Sequence, residues 1–140
     1  MKRSNTYLIF EGNCAQAMKF YARCLGGELH LMPYSEMPGE VSKEAKDRIM
    51  HAKLTKGDMT WMASDNHPDH TTVPFKQGNN FLINLDCESV QEIDRLFAAF
   101  GDQGKVTMPL QETFWAARFG MLTDRFGVNW MFNLDKPAQG

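Results

Sequence analysis

Residues 7–33 read YLIFEGNCAQAMKFYARCLGGELHLMP, and residues 81–109 read FLINLDCESVQEIDRLFAAFGDQGKVTMP. Set 76 residues apart, Ala17 falls on Ile93, Phe20 on Leu96, Tyr21 on Phe97 and Met32-Pro33 on Met108-Pro109. A second echo sets MTWMASD (59–65) against VNWMFNLD (128–135), with Trp61-Met62 over Trp130-Met131 at an offset of 69. The first half therefore carries about seven extra residues, and the polar, Pro- and Gly-bearing stretch SEMPGEVSKEAKD (35–47) is where they sit. Matches that recur in the same order mark a repeated supersecondary unit.

Local signals give each unit its elements. Ala17, Met18, Tyr21 and Leu25 recur at helical spacing, with Gly26-Gly27 as the stop and Asn13 as the N-cap, so a helix is predicted over about Cys14 to Leu25. A second helix is predicted from about Val90 to Phe100, with Val90, Ile93, Leu96-Phe97 and Phe100 on one face. Ser89 caps it, and Glu92 three residues on completes a capping box. Strands are read at about 6–10, 28–33, 49–55, 59–64, 80–86, 105–111, 115–123 and 128–134, with hairpin turns at 56–58 and 124–127. The order is βαβββ twice, in one domain: module one about 5–65, a loop about 66–79, module two about 80–135. The expected class is α+β, two βαβββ modules forming curved mixed sheets around a central cavity. In such a unit the helix covers one sheet face and leaves the other for function.

Composition narrows the classes. The 140 residues are 43% hydrophobic and 23% charged, with a formal net charge of −2, as in an ordinary globular protein. The basic residues are scattered rather than gathered in a stripe interleaved with aromatics, which argues against nucleic acid as a partner. The longest N-terminal apolar run is four residues, too short for a signal segment, and no run approaches the ~20 apolar residues of a membrane span. A cytoplasmic protein without membrane contact is expected. Cys14, Cys24 and Cys87 are odd in number and lack a CxxC spacing, so they read as buried or idle thiols.

Alternation assigns the free face. In the fifth strand Asn80, Leu82, Asn84 and Asp86 oppose the apolar set Phe81, Ile83 and Leu85. In the eighth, Asn129, Met131 and Asn133 oppose Trp130, Phe132 and Leu134; in the fourth, Thr60, Met62 and Ser64 oppose Met59, Trp61 and Ala63. The homologous parity gives Thr6, Leu8 and Phe10 in the first strand. The ligand-binding set is then Thr6, Leu8, Phe10, Thr60, Met62, Ser64, Asn80, Asn84, Asn129 and Met131, an apolar body with a few hydrogen-bonding groups. The plainer alternative is that the Asn and Ser side chains only meet water.

The paired units, the opening GNCAQAMKFYARCLGGEL (12–29) and the closing QETFWAARFGMLTDRFGVNWMFN (111–133) resemble the glyoxalase/bleomycin-resistance (vicinal oxygen chelate) superfamily, and within it the PhnB-like branch. The likeness spans nearly the whole chain. It implies the fold, a homodimer and a small organic ligand. The superfamily's metal enzymes place His, Glu or Gln on the first, fourth, fifth and eighth strands. Carried onto this sequence, those places fall near Thr6, Met62, Asn80 and Met131, a poor set for a divalent ion, so neither a metal nor another cofactor is expected. The demethylubiquinone methyltransferase label common in this branch finds no strand–Gly-loop–helix for its cofactor.

Three further groups carry possible chemistry. His51, mid-strand in RIMHAKL, faces the free side with Lys53 and could act as acid or base; a half-exposed strand His is the alternative. Glu112, Trp115 and Arg118 cluster in QETFWAAR, where Glu could act as base, Trp could stack on a flat substrate and Arg could pair with its anion; alternatively, Trp115 is interface or core and the two charges pair with each other. His67 and His70 look like a ligand pair, but Pro68 between them points to a solvated loop. The leading expectation is a metal-free small-molecule-binding protein. The rivals are a lyase, isomerase or dioxygenase on the same scaffold using His51 and Glu112 or an unexpected metal, and an interaction module with no small ligand.

Overall fold

The apolar spacing that predicts two helices and eight strands is realised in a computed structural model that describes residues 1–67 and 73–137. The elements are β1 (Thr6–Phe10), α1 (Cys14–Leu25), β2 (Glu28–Pro33), a short 3-10 turn at Tyr34–Glu36, β3 (Ile49–Lys56), β4 (Met59–Asp65), β5 (Ile83–Asp86), α2 (Val90–Gly101), β6 (Lys105–Gln111), β7 (Ala116–Thr123) and β8 (Asn129–Asp135). The chain divides into two compact units, Met1–Lys76 and Gln77–Gly140. Each holds one four-stranded mixed sheet, ordered β1-β4-β3-β2 in the first and β5-β8-β7-β6 in the second. The two orders are the same pattern, as a repeated βαβββ unit requires.

In module one α1 packs on β2, β3 and β4. Its buried face of Ala17, Met18, Phe20, Tyr21, Cys24 and Leu25 shares the core with Leu8, Phe10, Ala52, Leu54, Trp61 and Ala63. Tyr21 meets Trp61 edge-on at 6.1 Å. In module two α2 packs on β6, β7 and β8. Phe100 lies 4.8 Å from the Trp130 ring and 5.5 Å from Phe132. Helix and sheet come so close over Gly120 that an added Cβ would lie 2.8 Å from Phe97 and 2.9 Å from Leu110. A larger residue there would require the Phe97 and Leu110 side chains to shift.

Two predicted caps differ in the structure. Ser89 Oγ accepts the Glu92 amide at 3.1 Å as expected, but the Glu92 carboxylate accepts from Glu88 N, at 2.9 Å, rather than closing the box on Ser89. Asn13 makes no side-chain cap at all. Asp65, at the far end of β4, does that work: its Oδ1 accepts from Gly12 N (2.8 Å) and Cys14 N (2.9 Å), and its Oδ2 from Ile49 N (2.8 Å). A carboxylate on the first amides of a helix also suits the helix dipole.

Module two uses a buried carboxylate differently. Asp124 opens the β7–β8 turn, and its Oδ1 accepts from Phe126 N and Val128 N while its Oδ2 accepts from the Trp130 indole at 2.9 Å. Gly127 in the same turn has φ 85°, the left-handed region. The outermost strands β2 and β6 share another feature. Their register shifts, between Met32 and Pro33 and between Met108 and Gln111, fall at the repeated Met-Pro pair.

The fifth strand is shorter than predicted. It begins at Ile83, so Asn80 lies in a bend before it and Phe81 is exposed. The inserted stretch 35–47 has bends and turns, anchored by buried Tyr34 and Ala45.

Candidate functional site

Strand pairing defines which side chains share a face. In module one Thr6, Leu8 and Phe10 align with Trp61, Ala63 and Asp65, so they stand on the side covered by α1. Leu8 and Phe10 are only 5% and 3% exposed. The predicted free-face set for β1 is therefore corrected: Tyr7 and Ile9, 45% and 48% exposed, align with Met62 and Ser64 on the face turned away from α1.

The physical cause is one residue of connector. Thr6 pairs with Trp61 as Ile83 pairs with Trp130, so β1 and β5 correspond at 77 residues, while α1 and α2 both run twelve residues and start 76 apart. A single-residue slip turns every strand side chain to the opposite face. Parity transferred from the helices was thus wrong by one.

The remaining assignments fall as follows. Thr60, Met62 and Ser64 lie on the face away from α1, with His51 and Lys53 of β3, whose neighbours Ala52 and Leu54 are fully buried. His51 sits opposite Met32 in the register, and its ring is 6.1 Å from Tyr7 with the planes tilted by 39°. In module two Asn84, Asn129 and Met131 lie on the face away from α2, joined by Asp86, Met121 and Asn133.

A hydrogen-bonded amide–carboxylate ladder crosses that second face. Asn84 donates to Asp86 at 3.1 Å, and Asn133 donates to Asp86 at 3.2 Å and to Asp135 at 2.9 Å. Thr123 donates to Asn129 Oδ1 at 2.7 Å, which orients that amide.

The QETFWAAR residues do not converge. Glu112 is exposed beyond the end of β6, 3.4 Å from Lys136 Nζ. Arg118 aligns with Leu134 on the α2 side and pairs with Asp94 of that helix at 3.2 Å. Its ion-pair partner is therefore Asp94 rather than Glu112, and it stands on the helix side of the sheet. Trp115 is half-exposed before β7, packed between Phe114 (4.9 Å) and Phe119 (5.4 Å). His51 and Glu112 fall in different units. His67 lies edge-on to Tyr34 at 4.7 Å, and its supposed partner His70 lies outside the described residues.

Two of the three buried thiols are shifted toward the protonated form. Burial, reinforced by Asp65, pushes Cys14 up to about 12, and burial with Glu92 and Asp86 pushes Cys87 up to about 11. Burial likewise raises Tyr34, whose hydroxyl donates to the Asp65 carbonyl at 3.2 Å. None of these is a poised nucleophile at neutral pH.

Doubled βαβββ units with matching strand orders agree with the sequence comparison: the profile of the Glyoxalase/Bleomycin resistance protein/Dioxygenase superfamily matches residues 3–132. The chain belongs to this superfamily. Among its relatives is the protein YjdN of Escherichia coli K12, 36% identical over 95% of this chain and 97% of its own. Among solved structures, protein PA1353 of Pseudomonas aeruginosa is 44% identical and superposes with a TM-score of 0.88, covering 98% of this chain and 100% of its own. A Bacillus cereus PhnB protein, named for a 3-demethylubiquinone-9 3-methyltransferase, is 28% identical with a TM-score of 0.75 over 95% and 99% of the two chains. Among the described helices of this superfamily member, none is long and apolar enough to cross a membrane.

Sequence reasoning missed Tyr7, Ile9 and Asp65. The first two were hidden by the one-residue connector difference. Asp65 bonds residues 53, 51 and 16 positions away, which no local pattern announces.

Proposed function

We propose that this superfamily member binds a small organic molecule on the sheet faces turned away from its helices, without the family's divalent metal. The support is the chemistry of the seats that adjoin Met62 and Met131. The β1 neighbour of Met62 is Tyr7, and the β5 neighbour of Met131 is Asn84. Neither the thioether–phenol pair of module one nor the thioether–amide pair of module two suits a first-row divalent ion, which favours imidazole or carboxylate. Among the described residues no three His, Cys, Asp or Glu side chains gather into a metal-holding group. Thioether and aromatic surfaces beside a few polar groups suit an organic ligand.

A homodimer in the cytoplasm is part of the same proposal. The exposed Phe114–Trp115 pair offers apolar surface for a second copy to cover. The methyltransferase in the Bacillus relative's name is not carried over, because this chain has no Gly-rich nucleotide loop after a strand.

The test combines elemental analysis of native protein, calorimetric screening against metabolites and aromatic antibiotics with chelator present, and light scattering. The expected result is substoichiometric metal, at least one bound compound and a dimer mass. Stoichiometric zinc, nickel, manganese or iron, or binding of nothing, overturns the metal-free binding reading; a monomer mass overturns the dimer. A second reading, a lyase, isomerase or dioxygenase, is favoured by the His51 imidazole on the face away from α1, where it could serve as acid or base. Turnover of a bound compound that His51→Gln abolishes would establish it.

A further inference from the structure

One row of side chains crosses all four strands of module one on the face away from α1. Tyr7 neighbours Met62, Met62 neighbours Lys53, and Lys53 neighbours His30. The corresponding row of module two runs Asn84, Met131, Met121, Met108. Lys53 thus stands where the second module has Met121. Among the described residues its ammonium has no ion-pair partner, since the nearby Glu28 carboxylate is engaged by His30 Nε2 at 3.1 Å.

Lys53 is exposed, with a thioether on one side of it across the sheet and the His30 imidazole on the other. Met62 adjoins it in the row, the Tyr7 ring lies next along, and His51 two residues back on β3 faces the same way beside Met32. Tyr7, Ile9 and Met32 are each more than 40% exposed. The charged and titratable groups of this face are Lys53, His51, Tyr7 and the paired His30 and Glu28, whereas the opposite number in module two carries Asp86, Asp135 and, aligned with Thr123, Lys105. On the first face the Lys53 ammonium is left to offer an anion a partner, while on the second the carboxylates of Asp86 and Asp135 outnumber the single Lys105.

We propose that the module-one face binds a flat aromatic molecule bearing a carboxylate or similar oxyanion, its ring over Tyr7 and Met62 and its oxyanion at Lys53. Aromatic and thioether surfaces prefer a π face, and an unpaired ammonium prefers an oxyanion. This rests on the small-molecule reading above and names its ligand class.

The test titrates 2-naphthoate and its neutral analogue 2-naphthylmethanol into the full chain, following methionine methyl resonances and heats of binding. The expected result is tighter binding of the naphthoate, with shifts at Met62 and Met32. In Lys53→Met, which installs the module-two residue at an exposed position, the naphthoate Kd rises roughly threefold to tenfold while the alcohol is unaffected. Equal binding of the two probes by the native chain, an unaltered naphthoate Kd in K53M, or shifts confined to Met108, Met121 and Met131 overturns the proposal. If naphthoate does not bind but a neutral compound from the metal-free screen does, the ligand class falls and the general binding reading stands. If nothing binds, both fall.

Discussion

Module one fastens its loops with a carboxylate remote in sequence, whereas module two fastens its turn with one only a few residues away. Asp65 draws together the β1–α1 connection, the first turn of α1 and the start of β3. Asp124 closes a turn between its own neighbours and steadies the indole of Trp130 six residues on. The shared topology and the Trp-Met pair survive this change of fastener. What the repeat conserves is the packing of helix on sheet; how each polar end is satisfied was solved separately.

The strongest way to break this comparison is to remove each carboxylate. Asp65→Ala leaves three amide N–H groups without acceptors, those of Cys14 and Ile49 buried, and is expected to cost about 3–5 kcal/mol. Asp124→Ala strands one buried indole N–H and two part-buried amides that water can reach, for about 2–3 kcal/mol. Urea unfolding midpoints measure both, and equal losses would show that long-range and local fasteners are equivalent.

Next in size is Gly120→Ala. In the register Gly120 faces Phe132, where module one has Ala52 facing Ala63, so the modules trade a small-and-large pair for two small residues. The added methyl meets Phe97 and Leu110 below 3 Å and is expected to cost about 1–3 kcal/mol in thermal or urea unfolding. A neutral result would mean α2 lifts freely off its sheet. The smallest contrast lies at the caps: Ser89→Ala should lose about 1 kcal/mol, and Asn13→Ala should stay within about 0.5 kcal/mol. An Asn13 loss matching that of Ser89 would contradict the role given to Asp65.

The repeat made most of this legible before any coordinates. The two helices to within a residue, the hairpin turns and the parity of β4 and β8 follow from local spacing, because periodicity is a property of neighbouring residues. The parity of β1 was not legible, because it depended on counting connector residues whose number differs by one between modules. The partner of Arg118 was not legible for a related reason: the irregular register between Ala116 and Arg118 turns its guanidinium toward Asp94. Glu112, Trp115 and Arg118 are close in sequence, yet each finds a different partner across the fold. The Asn and Asp ladder of module two lay within the alternation, and only strand pairing showed its members bonded to one another.

The Met-Pro pair at the irregular point of β2 and β6 bears on solubility. In each sheet these strands are outermost, where unpaired amides invite another chain to add on. Proline offers no N–H at that spot, and the pairing register is irregular there, so this edge is a poorer template for an added strand. Repeating the device in both halves blunts the β2 and β6 edges while leaving the side-chain faces to smaller visitors.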